Sequence, residues 1–478
     1  MKRSIIALTL ILLCGPMFSQ TLGVAELKEI KSGFVKDAST IAIQNFVSSD
    51  KDFKSKTRNR DIQGKVDHFF KYRVNVKGIT NQQSSGRCWM FTSMNALRPA
   101  VMNKYSLGEF DFSHNFNYFW DVLEKSNLFL ENIIATADKD MDDREVVTFF
   151  SSPVGDGGVW NLFYNVAEKY GVVPQSVMPE TEHSNNTTQM MNVLNERLRA
   201  GGYAIREIAN GKSGINEATK VGKKAVTKSG ENEKLKAMRA EKTETLKDVY
   251  RILAICLGEP PAEFTWRYKT KEGEVKSLTT TPEDFFKSIV PEDYNPKSFI
   301  MVMNDPTREY YKLYEIKNYR NTIEGINWLY LNLPNDEIKT SALASIKNNE
   351  PLYASCDVGK QLDKENGILD VNNYNYEALF GIKINMDKKA RILTRQSGSS
   401  HAMLLVACDT DDKDVPVKWE FENSWGATVG HNGYLTLTDE WFNEYLFRVV
   451  INKKFLSEKA IKALDQKPVL LPVWDYMN

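Results

Sequence analysis

The chain has 478 residues, 42% of them hydrophobic, and its 62 Lys and Arg are balanced by 62 Asp and Glu. That length supports more than one domain-sized core. A formal net charge of zero excludes overall charge as a reason to expect nucleic acid or an anionic membrane as a partner.

The first residues differ from the rest. Lys2 and Arg3 precede the apolar run Ile5 to Leu13, and Gly15, Pro16 and the small Ser19 follow it. This is the charged, apolar, cleavable order of a secretory signal over residues 1–19, with the cut between Ser19 and Gln20. The run is about half the ~20 residues of a spanning helix, so a cleaved signal is expected over a retained anchor. Export to the periplasm or the exterior follows. Cys14 makes a poor lipid-attachment site, because the bulky Leu13 stands where a small residue is needed. No later run is long and apolar enough to span a membrane.

After the signal, residues up to about Tyr72 are charged and read as helical in part. "YRVNVKGIT" (Tyr72 to Thr80) alternates like a strand and leads into the polar loop that stops at Cys88. Trp89 to Tyr105 has helical periodicity, interrupted by Pro99. Phe116 to Asn127 and Trp160 to Gly171 read as amphipathic helices, the second ending on glycine as helices often do. Asn192 to Thr245 is rich in lysine and alanine with glycine breaks. It reads as exposed helices of an insertion, with a loop near Gly211 to Gly230. Its interspersed glutamates mark a solvated face. "GEPP" (Gly258 to Pro261) is a boundary signal. From Ser298 onward strand-like runs follow one another: "SFIMVM", "PLYASCDV", "HAMLLVAC", "VKWEFEN" and "GYLTLT".

Five cysteines are present. Cys14 leaves with the signal. Cys256, Cys356 and Cys408 have apolar neighbours and read as small buried hydrophobes. No C-x-x-C pair exists, so neither a zinc nor a redox site has support, and no metal or cofactor is expected. Cys88 is different. Its approach, "NQQSSGR", is polar, and the cysteine opens a helix. The positive end of a helix dipole favours the thiolate over the thiol. A neighbouring imidazole completes the activation.

Five histidines compete for that role. His68, His114 and His183 lie in helical or loop-like stretches, and His431 lies in the turn "GHNG". His401 begins an apolar strand. The aspartate-rich turn "DTDDKD" follows, then a second strand ending at Asn423. A hairpin centred near Asp412 is expected to set His401 opposite Asn423, within the ~5 Å of a cross-strand pair. The amide then accepts from one ring nitrogen and leaves the other to the thiol. Gln82, six residues before Cys88, can donate to an oxyanion beside the Cys88 N–H.

Together these residues resemble the papain-like cysteine peptidases. "Q-x5-C-W" (Gln82 to Trp89) and "NSWG" (Asn423 to Gly426) stand in family order with the histidine between them. More narrowly, "NQQSSGRCWMF", "DGGVWNLFYNVAEKYGVVP", "LGEPPAEFTWRY", "NDPTREYY" and "HAM" are similar to the bleomycin hydrolase or aminopeptidase C subfamily, from about Val66 to Met477. The resemblance implies an α+β, two-lobed papain-like fold. Residues 20–190 carry the N-terminal region and the helical lobe with the cysteine. Residues 191–297 form a mainly helical insertion, 298–460 a β-rich lobe with His401 and Asn423, and 461–478 a C-terminal arm.

It further implies that Cys88 is the nucleophile, His401 the base and then acid, Asn423 the orienting group and Gln82 the oxyanion donor. Trp425 resembles the tryptophan that shields the histidine–asparagine bond at the substrate cleft. Gly157 and Gly158 resemble a backbone strip that pairs with an extended peptide, where missing side chains allow close approach. Peptides are the expected substrates and a homohexamer the expected assembly. The arm's terminal carboxylate, here on Asn478, is expected to hold the substrate's amino group and give aminopeptidase action. The tail stops a few residues after the family's Trp-Asp element, so a papain-like endopeptidase without arm restriction is the alternative. A nucleic-acid-binding channel protein is the alternative from another class, and the neutral charge and export signal argue against it.

Overall fold

A computed structural model describes residues 21–211, 228–290 and 296–477. The expected signal over 1–19, Asn478 and most of the expected loop between Gly211 and Gly230 lie outside the described residues. The chain divides into two compact units, Met1–Arg58 with Asn375–Ile382, and Asn59–Tyr374 with Lys383–Asn478.

The smaller unit contains the helices Val24–Ser32 and Ala38–Ser48. Asp37 starts the second by accepting from the Thr40 N–H, a standard N-cap arrangement. Neither helix buries a residue, and Val24, Ile30, Phe34, Val35 and Phe46 are exposed. Phe53 meets Tyr376 and Phe380 edge-on.

The larger unit mixes helices with a twelve-stranded sheet. The strands Phe299–Met303, Leu446–Asn452, Leu352–Cys356, His401–Thr410, Pro416–Glu422 and Tyr434–Thr438 follow one another across it, each antiparallel to the next. His401 to Cys408 are buried at every position. Such a strand is covered on both faces, which is why its sequence is a continuous apolar run rather than an alternation. Helix Cys88–Lys104 packs on it, and Trp89, Met90 and Met94 share one core with Ala402 and Tyr353. A second core joins Met403, Leu405 and Trp419 to the helix Asn335–Lys347 through Ile338, Ala342 and Ile346. This is the α+β class expected.

Some local expectations change. The cysteine helix runs on through Pro99, because Leu97, Arg98, Val101 and Met102 on either side of it are buried. Helix His114–Ala135 is longer than the expected Phe116 to Asn127. Helix Trp160–Tyr170 ends at Gly171, whose φ is +72°. The expected strand Tyr72 to Thr80 is reduced to Tyr72–Arg73, paired with Cys408 and Ala407. Beyond it the Arg98 guanidinium takes the carbonyls of Lys77 and Gly78, which removes them from any ladder. After the helices Thr188–Ala209 and Lys228–Leu257 comes a hairpin, Phe264–Lys269 with Val275–Thr280, that periodicity had not indicated. Among the described residues no helix is long and apolar enough to cross a membrane.

Candidate active site

Cys88 is the first residue of its helix. Its own N–H therefore has no intrahelical acceptor. The loop before it is clamped from two directions. The Asp156 carboxylate accepts from the Gly86 N–H at 2.6 Å and from the Thr187 hydroxyl at 2.6 Å, while the Asp156 carbonyl accepts from Trp89 Nε1 at 2.9 Å. A Cβ on Gly86 would lie 2.5 Å from Asp156 Oδ1, so only glycine fits this approach. Arg87, fully buried, pairs with Glu180 at 2.9 Å.

The cysteine loop is then joined to the far side of the site. Gln82 N–H donates to the Ser424 carbonyl at 2.9 Å, and the Ser424 hydroxyl donates to Gln82 Oε1 at 2.7 Å. The Gln82 amide nitrogen donates to the Ser85 carbonyl at 2.6 Å. A primary amide carries two N–H bonds, so a second remains, and Gln82 borders the same cleft as Cys88.

His401 and Asn423 are brought together, though not as direct cross-strand partners. A hairpin centred at Asp412 would pair Glu422 with Ala402. In the structure Glu422 pairs with Leu404. The turn is later than expected: Asp411 N–H bonds to the Val415 carbonyl, and Asp414 takes a left-handed φ of +64°. The strand also bulges between Leu405 and Ala407. His401 therefore reaches Asn423 along the diagonal, with Nε2 to Oδ1 at 2.8 Å.

The direction of that bond follows from its neighbours. Asn423 Oδ1 also accepts from the Ser424 N–H at 2.8 Å, which fixes oxygen as the atom facing the ring. An amide oxygen only accepts, so Nε2 carries the proton and Nδ1 is left as the acceptor. The Trp425 ring covers the imidazole, centroids 4.7 Å apart and planes 26° from parallel.

The thiol and imidazole share the cleft and the electrostatics. The Ala402 N–H lies 3.5 Å from Cys88 Sγ. Burial pushes the Cys88 thiol up to about 11, against the pull of the Ala402 and Trp89 N–H groups. Burial also pushes His401 down to about 4, opposed by Asn423. Each shift is the cost of an isolated buried charge. Proton transfer from thiol to imidazole makes two opposite charges at once, whose attraction offsets that cost.

Cys88, His401 and Gln82 line one cavity of about 730 Å³ with Gly157 and Gly158. The two glycines serve differently. A Cβ on Gly158 would lie 2.7 Å from Trp89, whereas one on Gly157 would meet nothing within 4 Å. The Gly157 carbonyl already accepts from Lys125 Nζ at 2.7 Å. Lys125, Asp156 and Arg448 are residues of this region that motif reading did not find. Asp156 has a local signal, its place just before the glycine pair. Lys125 and Arg448 have none, because they arrive from a distant helix and strand. Asn478 lies outside the described residues, but its neighbour Met477 gives its carbonyl to Arg448, a cleft residue, at 2.5 Å.

The chain is similar to known proteins along most of its length. Residues 21–478 match the Peptidase C1-like family. The chain is 36% identical to human bleomycin hydrolase over 424 residues, covering 87% of this chain and 89% of that protein. It is 36% identical to aminopeptidase C of Listeria monocytogenes over 428 residues, 89% of this chain and 91% of the other. The crystal structure of PepW from Lactobacillus rhamnosis HN001 superposes with a TM-score of 0.87 at 32% identity, covering 96% of this chain and 99% of that one. The chain therefore belongs to the Peptidase C1-like family and is a papain-like cysteine peptidase.

Proposed function

We propose that this enzyme is an aminopeptidase in which Cys88 attacks the substrate carbonyl after giving its proton to His401 Nδ1. The observation that carries the reading is the His401 Nε2 to Asn423 Oδ1 bond, which leaves Nδ1 unprotonated beside the thiol's cleft. Asn423 holds the ring through both halves of the reaction. The Cys88 N–H and the remaining Gln82 N–H receive the oxyanion, and Trp425 keeps water from the ring. As the C–N bond breaks, the imidazolium gives its Nδ1 proton to the departing amine and the acyl group stays on Cys88. Water then attacks the thioester with His401 as base again, and the thiol regains its proton. These are the roles the family resemblance implies for Cys88, His401, Asn423 and Gln82.

Aminopeptidase action, which the curated relatives named aminopeptidase C share by name, is supported by the tail. Val473 borders the cleft, so the tail occupies part of the room an internal peptide segment would need. A homo-oligomer, the hexamer of the resemblance, is supported by the exposed apolar faces of Val24–Ser32 and Ala38–Ser48. Export is supported by Lys2, Arg3 and the apolar run after them, and N-terminal sequencing of the native protein tests it. For the chemistry, the test is hydrolysis of a free-amine peptide by folded Cys88→Ala protein. Turnover is expected to vanish, and an undiminished rate overturns the reading.

A further inference from the structure

Two segments have no part in the thiol chemistry: "NDPTREYY", one of the segments of the family resemblance, and the tail run "PVWDYM" (Pro472 to Met477) around the Trp-Asp element. The structure brings them together. Arg308 Nη2 donates to Asp475 Oδ2 at 2.5 Å, and Arg308 Nη1 donates to the Tyr330 hydroxyl at 2.7 Å and lies 3.3 Å from Asp305 Oδ2. The same guanidinium stands 4.6 Å from the Tyr476 ring centroid, and the Tyr476 hydroxyl bonds to Thr307 Oγ1. Asp475 uses its other oxygen to accept from the Met477 N–H at 3.0 Å. One carboxylate thus shapes the tail's turn and ties it to the body of the enzyme.

The two ends of this segment are also fixed. Upstream, strand Val469–Leu471 runs parallel to Lys312–Ile316, and the Lys317 N–H donates to the Leu471 carbonyl at 3.0 Å. Downstream, the Met477 carbonyl rests on Arg448. Arg448 is 7% exposed, stacks on Trp328 at 4.0 Å, and keeps a buried Nε without a partner. Lys317, Arg448 and Val473 all border the catalytic cavity. The Arg308–Asp475 pair is the charged tie between these two anchors.

We infer that Arg308 is a specificity-determining positioning residue: by holding Asp475 it fixes Val473 to Met477 at the cleft and so restricts the enzyme to peptide N-termini. This rests on the aminopeptidase reading and names the device that enforces it. Both partners are nearly buried, with side chains 11% and 5% exposed. Removing Arg308 leaves the Asp475 carboxylate without its cation, and removing Asp475 leaves Arg308 with Asp305 alone, so the tail is loosened between its two anchors. Arg308 does not touch the thiol or the imidazole, and the bond-breaking step survives its loss.

The test compares one peptide with a free amine and its N-acetylated form, using native enzyme, Arg308→Gln, Asp475→Asn and Tyr476→Phe. The native enzyme prefers the free amine. In Arg308→Gln and Asp475→Asn the ratio of kcat/KM values falls at least about tenfold, the consequence of splitting a buried pair. The fall comes from a higher KM for the free amine and faster cleavage of the acetylated peptide, with kcat on the free peptide kept. Arg308→Lys, which retains the charge, recovers part of the ratio. Tyr476→Phe removes a single hydroxyl without unfolding risk and gives a smaller fall. Amide exchange over residues 469–477 quickens in the same order. Unchanged ratios and exchange in the variants of a selective native enzyme overturn the latch and leave the aminopeptidase reading intact. A native enzyme that cleaves both peptides equally overturns both.

Discussion

The two halves of the active site are positioned by different physics. On the helical side everything that sets Cys88 is near it or grips its loop: a helix start, the Asp156 clamp on Gly86, and the buried Arg87–Glu180 pair. On the sheet side the position of His401 depends on register, which is set ten residues away in the turn and at a bulge. Side chains alternate along a strand, so a register error of one residue would turn the histidine away from the site, and the observed shift of two keeps it on the same face. A nucleophile placed by its neighbours and a base placed by long-range pairing are joined by the Gln82–Ser424 bonds and by the packing of the cysteine helix on the His401 strand.

The largest expected effect tests whether these halves act as one machine. His401→Ala should lower kcat by several orders of magnitude, about as far as Cys88→Ala, and the double variant should fall no further. Additive losses measured in the double variant would mean two independent contributions and would break the comparison. Next in size is the joint itself. Gln82→Ala is expected to reduce kcat roughly a hundredfold through the lost oxyanion donor, with KM little changed. A rise in KM alone would make Gln82 a binding residue.

The same contrast explains what the sequence disclosed. The cysteine, its helix and the terminating Gly171 were legible because each depends on residues within one or two turns. "HAMLLVAC" was legible as a buried strand. The hairpin pairing was legible in kind and wrong in register, since nothing in "DTDDKD" states which aspartate adopts the left-handed position that Asp414 takes. Lys125 and Arg448 were invisible, because their roles exist only after a helix and a strand far apart in sequence border one cleft.

Acid acts with opposite signs on groups of two neighbouring strands of the sheet side. His401 is held neutral in the fold, with its pKa lowered by burial to about 4. Between the unfolded value near 6.5 and that folded value, only the unfolded chain takes up the proton. This contribution is complete above pH 6.5 and is lost as pH falls toward 4, a change of about 3 kcal/mol at 1.36 per unit. Glu420 and Glu422, on the strand leading to Asn423, act oppositely. Burial raises both to about 7 despite Arg73 and Arg98, so they favour the fold in acid and lose that contribution as pH rises through 7. The whole protein therefore masks the histidine. Urea unfolding of native and His401→Gln protein, compared at pH 7 and pH 4.5, isolates it: the difference between the two should shift with pH in the direction stated. A pH-independent difference would mean that His401 is not held neutral.

The smallest effect concerns the glycine pair beside the cleft, where one side of the comparison can be disturbed without the other. A methyl at Gly158 would lie 2.7 Å from Trp89 and 2.9 Å from Leu162. Trp89 follows Cys88 directly and is itself held by Asp156, so the strain passes into the nucleophile's helix. Overpacking of this kind costs about 1–3 kcal/mol, and Gly158→Ala should lower both Tm and kcat. Gly157 has open space around its Cβ direction. Gly157→Ala should leave Tm unchanged, because nothing in the fold is displaced. Its methyl instead projects where an extended substrate would lie along the backbone, so KM should rise a few-fold with kcat kept. Thermal melts with kcat and KM for the two variants separate these outcomes. If Gly157→Ala left KM untouched, the substrate would not run along this strip, and the close backbone approach would have to be sought on the sheet side of the cleft.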